Sequence, residues 1–294
     1  MTTNVTDPGD AGLPPLVAPG GRGGFRDVFR ERYLLRLLVR KEIRARYQGS
    51  VLGLLWSYVQ PAAMFLAYYL IIGIVFELRD DIENFPIHIF AGMTMVHYFN
   101  ETFASGTRSI VRNSGIISKM NLPREMFPVA SMLVSAYHTF PQLLILLAAA
   151  LAYGWDPGVY DVAAGLLGFS IVAVIGMALA LLFSAANVFF RDFQNIVATV
   201  RIFVMWSTPM IYPFTLIEQK VAGSWVLELY LANPIANGVI LMQQLFWVPT
   251  VDGGAVMPDH LLTRGAIVLL GCLLFLAAAQ WVFSRLEGKF AERL

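Results

Sequence analysis

Two ionisable side chains are set inside apolar runs: Glu101, flanked by Asn100 and Thr102, and Arg201, within "NIVATVRIFVMW". Inside a bilayer a charge costs roughly 2.5–3.5 kcal/mol on insertion scales. Glu101 should therefore face a cavity, take a hydrogen-bonded neighbour or carry a proton, and a structural polar link is the favoured reading. Arg201 can snorkel to an interface or pair with Glu101. Reactive constellations do not assemble from the remaining residues. His88, His97, His138 and His260 show no paired metal-ligand spacing and read as interface or helix-packing residues. Cys272 stands alone, so one chain offers neither a disulfide nor a thiolate metal site. The acidic pair Asp80-Asp81 is accounted for by Arg79 and an ordinary loop, and a membrane glycosyltransferase or other enzyme would need more. No Gly-x-x-x-x-Gly-Lys-Ser/Thr loop occurs, so ATP hydrolysis by this chain is not expected.

The elements that must position these residues are membrane helices. Of 294 residues, 57% are hydrophobic and 14% charged, where a soluble domain carries about a quarter charged residues. Six runs reach the ~20 apolar residues a spanning helix needs, at roughly 53–76, 87–108, 129–153, 162–187, 195–213 and 262–284. The expected fold is all-α and integral to the membrane, with six transmembrane helices. Eighteen of the 21 Lys and Arg residues fall before residue 50, in the second-to-third and fourth-to-fifth connections or their flanks, and at the C-terminus. Arg79, Lys220 and Arg264 alone fall on the alternate side. Both termini are therefore expected in the cytoplasm, in a multi-pass protein of the cytoplasmic membrane. Residues 1–28, rich in Gly, Pro, Asp and Thr, read as a disordered cytoplasmic tail, and residues 49–294 as the transmembrane domain.

Three connecting devices stand out. Residues 29–48 form an amphipathic interface helix, with Arg32, Arg36, Arg40 and Arg44 in one basic stripe suited to anionic lipid and Leu34, Leu37 and Leu38 on another face. The stretch "KMNLPREMFPVA" (119–130) is a stiff charged elbow on the cytoplasmic side, within a short helix at about 113–128. Ile116, Ile117 and Met120 form its apolar face, and Pro123 and Pro128 limit it. On the outer side, "SWVLELYL" and "IANGVILMQQLFWV" are too short to span and read as two helices of a re-entrant hairpin at about 224–248, an interfacial pair lying flat being the alternative. Asn233-Pro234 supplies the second helix with an N-cap and a first-turn proline.

Four stretches, in this order and spacing, resemble permease subunits of type-2 ABC exporters for lipid-linked polysaccharides, the family of O-antigen, teichoic acid and galactan exporters. They are "RKEIRARYQGSVLGLLWSYVQP", "ISKMNLPREMFPVA", "NVFFRDFQNIV", and "STPMIYPF" with "LANPIANGVILMQQLFW". The resemblance implies a homodimer working with two copies of an ABC nucleotide-binding subunit, which would hold ATP and Mg, so this chain would bind no cofactor itself. It implies membrane lipids and a polyprenyl diphosphate-linked polysaccharide as further partners, and no nucleic acid. The elbow would then be a coupling helix, with Ile117, Lys119, Met120, Leu122, Arg124 and Glu125 at the ATPase; the charged Lys119, Arg124 and Glu125 would fix its register. Phe65, Tyr68, Tyr69 and Phe203 lie deep enough to line a sugar path, with core packing the competing explanation. Arg46, Arg191 and Arg201 are candidates for the substrate diphosphate, Arg191-Asp192 reading equally as a turn clamp. The nearest rival function is a type-2 exporter of a small lipid or drug. A secondary transporter would show inverted repeats and more intramembrane ionisable residues.

Overall fold

In lipid a backbone must satisfy its own hydrogen bonds, and a helix does so within one segment. The computed structural model describes residues 24–120 and 122–293, and no strand occurs among them. In chain order the helices are α1 (Phe25–Arg30), α2 (Arg32–Tyr47), α3 (Trp56–Tyr68), α4 (Leu78–Asp81), α5 (Phe85–Arg112), α6 (Ser114–Ile117), α7 (Met126–Ala152), α8 (Val159–Phe189), α9 (Phe193–Trp206), α10 (Phe214–Val221), α11 (Trp225–Leu231), α12 (Pro234–Phe246), α13 (Leu261–Leu286) and α14 (Phe290–Arg293). π-helical turns at Tyr69–Val75 extend α3.

Trp56–Val75, Met126–Ala152, Val159–Phe189 and Leu261–Lys289 are long and apolar enough to cross a bilayer. The pair Trp225–Leu231 and Pro234–Thr250, bent by 73°, makes a fifth if it is one broken span. Among the described residues, length and composition alone thus mark four helices, or five with that pair, as able to cross a membrane. The other two expected spans differ for separate reasons. α5 has 28 residues, about 42 Å at 1.5 Å per residue, but it carries His97, Glu101, Arg108 and Arg112. α9 stops at Trp206 instead of continuing to residue 213, and at 14 residues reaches only about 21 Å. Pro209 disfavours helix at the residue before it. Ser207 and Thr208 also turn their hydroxyls back onto the carbonyls of Val204 and Met205.

α5 and α8 form the centre. α7, α8, α9 and α12 pack around α5, while α12 and α13 pack on α8. Small residues bring backbones together, as membrane helices require where burial of apolar surface gives little drive. A Cβ on Gly168 of α8 would lie 2.9 Å from the Gly238 carbonyl oxygen of α12, and one on Gly106 of α5 would lie 2.4 Å from Ala180 Cβ of α8.

Several connecting segments depart from expectation. Helix begins at Phe25, inside the segment read as a disordered tail, because Val28 packs into a cluster with Ile117, Phe283 and Phe290; residues 1–23 lie outside the described residues. α2 carries its arginine stripe outward, but Leu37 is also exposed, and Leu34, Leu35, Leu38 and Val39 form the packed face. The elbow helix is a single turn, α6. Pro128 sits in the first turn of α7 rather than outside it, a position where a missing N–H costs nothing. In the connection after α9, the helix α10 was not anticipated. The Asn233 side chain does cap α12, accepting from the Ile235 amide at 3.0 Å. Trp155 and Trp247 fasten the α12 end, their indole N–H groups donating to the carbonyls of Leu245 and Glu83, both at 2.7 Å.

Candidate functional site

His97, Glu101, Ser105, Arg108 and Arg112 recur at steps of three and four along α5, which places them on one face. α2 supplies the facing groups because its packed side lies against α7, beside that stripe. Between them is a cavity of about 450 Å³, walled by Lys41, Glu42, Arg46, Glu101, Arg108 and Arg112 among others. Arg46 Nη1 donates to Glu101 Oε1 at 2.6 Å, with 39% of the arginine and 21% of the glutamate side chain exposed. Lys41 donates to Asn113 Oδ1 at 2.8 Å, Asn113 Nδ2 donates to Glu42 Oε1 at 3.1 Å, and Arg112 forms an ion pair with Glu42. Arg108 is exposed and takes no ion-pair partner among the described residues.

A second polar cavity of about 170 Å³ adjoins the first across Arg46, which belongs to both walls. Here the Tyr47 hydroxyl is hydrogen-bonded to Ser57 and to His138 Nδ1, the latter at 2.9 Å, and Ser57 lies 3.1 Å from the same nitrogen. His97, Gln60 and Gln142 complete the polar lining. Gln142 is 1% exposed, and its amide oxygen has no hydrogen-bond partner. Further along, a third cavity of about 170 Å³ is lined by apolar side chains, including Phe65, Ile87, Phe90 and Leu146, and shares Pro61 and Gln142 with the second.

Glu101 therefore does face a cavity and does have a partner, but the partner is Arg46 and not Arg201. Arg201 is half-buried on α9, its Nε without a hydrogen-bond partner, and its charge acts on Glu101 and His97 without an ion pair. Arg191 is exposed in the turn between α8 and α9, with no hydrogen bond or ion pair among the described residues. The aromatic candidates divide. Phe65 and Tyr69 stack at 6.1 Å and pack on Phe90 and Phe85 of α5. Tyr68 instead reaches α9, its hydroxyl 2.9 Å from Met205 Sδ, and Phe203 is 69% exposed on that helix.

At the elbow, Lys119 and Met120 are exposed, Leu122 is half-buried and Ile117 is buried. Arg124 and Glu125, expected at a partner's surface, are buried within this chain. Arg124 bonds the Glu287 carbonyl and lies over the Phe290 ring, while Glu125 accepts from Gln280 Nε2 at 2.7 Å. A charge beside two prolines looks like surface, but the end of α13 folds over this one. The sequence reading also missed the Tyr47–Ser57–His138 cluster and the Lys41–Asn113–Glu42–Arg112 network. A local signal existed: Ser135, His138 and Gln142 on α7, like the α5 stripe, repeat at helical spacing inside an apolar run. Among the described residues no group of three or more His, Cys, Asp or Glu side chains is placed to hold a metal ion. The seam pairs cations with hydrogen-bonding groups beside an apolar slot, an arrangement suited to holding an amphiphilic anion.

Comparison with known proteins agrees with this architecture. The O-antigen export system permease protein RfbA of Myxococcus xanthus is 29% identical over 273 residues, spanning 92% of this chain and 98% of that protein. Two proteins of the same description from Klebsiella pneumoniae are 25% and 24% identical over 265 residues, each match spanning 89% of this chain and 95% of the relative. The family model described as ABC-2 type transporter, a membrane component, matches residues 33–247. With well over half its length matched, this integral membrane chain belongs to the ABC-2 type transporter family.

Proposed function

We propose that this chain is the membrane subunit of an ATP-driven exporter that moves a polysaccharide, linked to a polyprenyl diphosphate, across the cytoplasmic membrane. One observation carries the reading: the chain aligns over nearly its whole length with proteins described as O-antigen export permeases. Two copies would pair and bind two ABC nucleotide-binding subunits, which supply ATP, Mg and hydrolysis, this chain being non-catalytic. Both termini would face the cytoplasm. α5 and α9 would complete six crossings, and α11 with α12 would form a re-entrant outer gate. Exposed Lys119 and Met120, with Ile117 and Leu122 behind them, would meet the ATPase, while Arg124 and Glu125 would tie that lever to α13. Exposed Phe203, with Tyr68 beside the same helix, would line the sugar path between copies; Phe65 and Tyr69 support its wall from the α5 side. Arg46 and Arg201 remain the candidates for the diphosphate, and Arg191, exposed in the turn between α8 and α9, would meet a cytosolic partner or the arriving head group.

The test is reconstitution. The chain is co-expressed with a cognate Walker-motif ATPase, purified, and placed in vesicles with a polyprenyl diphosphate-linked glycan. ATP-dependent translocation, abolished when the ATPase is omitted and impaired in Arg201→Gln with assembly intact, is the expected result. A chain that transports alone, or a complex that leaves the glycan in place while moving a drug or small lipid, would refute the reading.

A further inference from the structure

Asn113-Ser114-Gly115 has the composition of a hinge. Small, turn-forming residues at the end of an element are where a chain bends most readily. The helix does break there: Asn113, at φ −104° and ψ 19°, separates α5 from α6. Yet Asn113 is 3% exposed, and all of its hydrogen-bonding groups are taken. Its amide N–H donates to the carbonyls of Ser109 and Ile110 at 3.2 and 3.1 Å, and its carbonyl accepts from the amides of Ile116 and Ile117 at 2.9 and 3.1 Å. One residue thus closes α5 and opens α6. Its side-chain Nδ2 donates to the Ser109 carbonyl at 3.0 Å and to Glu42 Oε1 at 3.1 Å, while Oδ1 accepts from Lys41 Nζ at 2.8 Å.

The bonds to Lys41 and Glu42 exceed what a helix end needs. Both partners lie on α2, 72 and 71 positions away, and these consecutive residues take the two edges of one carboxamide. The chemistry is matched: the amide offers an acceptor to the ammonium and a donor to the carboxylate, and an Asp in its place would lack the donor. Bonds to ionised partners are also about twice as strong as neutral ones. Glu42 is held in turn by an ion pair with Arg112, the last residue of α5. α1 adds an apolar contact further along, since Val28 packs in the same cluster as Ile117. The far end of the elbow is tied separately, through Arg124 to the Glu287 carbonyl and through Glu125 to Gln280. A sequence that reads as a hinge is therefore filled in as a fixed corner, and the groups that fix it come from α2.

We propose that Asn113 is a positioning residue, the locked joint of the elbow. Lys41 and Glu42 set the angle between α5 and α6, so that a push on α6 turns α5 and carries α2 with it instead of bending the chain at Asn-Ser-Gly. Arg46 lies four residues beyond Glu42, on the same face of α2, so the motion reaches the Arg46–Glu101 pair. This joint presupposes the elbow as the ATPase contact, as read above, and goes beyond that reading by assigning α2 to the moving part.

Two measurements on the complex with its cognate ATPase test the joint. The first is pulsed-EPR distance between spin labels at Arg36→Cys on α2 and Ser118→Cys after α6, both exposed positions, with Cys272→Ala removing the native thiol. One narrow distance, the same with and without trapped ATP, is expected, and Asn113→Ala should broaden it. The second is glycan translocated per ATP hydrolysed in vesicles. Asn113→Ala and Glu42→Ala should each lower it about tenfold, the scale of one charge-assisted hydrogen bond. The half-saturating glycan concentration should stay within about twofold, which separates a lost lever from a lost binding wall. Glu42→Gln keeps an oxygen facing Asn113 Nδ2 and should stay within about twofold of the parent in both readouts. Should Asn113→Ala fail to assemble, Glu42→Ala carries both measurements, its residue lying half-buried on α2.

A parent distance that shifts with nucleotide overturns the joint. So does a Glu42→Gln chain as impaired as Glu42→Ala, or a loss of export matched by the shift in half-saturation. The EPR measurement needs no glycan, so the two readings fail separately. A narrow, nucleotide-independent distance in a complex that exports no glycan sinks the function alone, and parental glycan per ATP in both Ala variants sinks the joint alone.

Discussion

The Arg46–Glu101 pair makes an asymmetric prediction. Two unit charges about 4 Å apart attract by about 4 kcal/mol at an effective dielectric of 20, but the desolvation of both partners offsets most of that. What matters is which charge is left behind. Glu101 sits within an apolar helix with 21% of its side chain exposed, whereas Arg46 ends a surface helix with 39% exposed and a stem long enough to reach water. Breaking a fully buried pair by removing one partner costs about 3–5 kcal/mol. With solvent reaching both groups here, Arg46→Gln should cost about 2–3 kcal/mol and Glu101→Gln under about 1 kcal/mol. The double substitution should recover to near the Glu101→Gln level, because no lone carboxylate remains. Thermal unfolding of the purified chain in detergent reads this out, at about 2–4 °C per kcal/mol for a domain of a few hundred residues. If Glu101→Gln proves as damaging as Arg46→Gln, or the double variant is no better than Arg46→Gln, the burial argument is wrong.

Gly106→Ala should lower stability by about 1–3 kcal/mol, since its new Cβ would sit 2.4 Å from Ala180 Cβ; adding Ala180→Gly should restore most of the loss in the same melts, and failure to rescue would show that the helix contact is not the cause. At the elbow, Met120→Asp, at a side chain 51% exposed, should leave the melting curve within about 0.5 kcal/mol of the parent while reducing ATP-dependent glycan export by the reconstituted complex. Arg124→Ala should instead destabilise the isolated chain by about 1–3 kcal/mol, because it frees the Glu287 carbonyl and uncovers Phe290; equal melting curves for the two elbow variants would contradict the assignment of one to a partner's surface and the other to the interior.

The helices themselves could be read from the chain because a bilayer makes backbone satisfaction a local requirement, so length and hydropathy over about 20 residues suffice to find α3, α7, α8 and α13. The cap on α12 was legible for the same reason: Asn233 and Pro234 act within one turn. Even the polar stripe of α5 was written in the sequence, since Glu101, Ser105, Arg108 and Arg112 repeat at helical spacing. What faces a stripe is another matter. Arg46 meets Glu101 across 55 positions and Tyr47 meets His138 across 91, and only the packing of α2 against α7 brings them there. Arg124 and Glu125 show the limit from the other side: their charge and their prolines announced a surface, yet the end of α13, more than 150 positions away, covers them. Periodicity belongs to a single segment and is set by backbone geometry. Partnership between segments is set by which distant faces pack, and no local pattern encodes that.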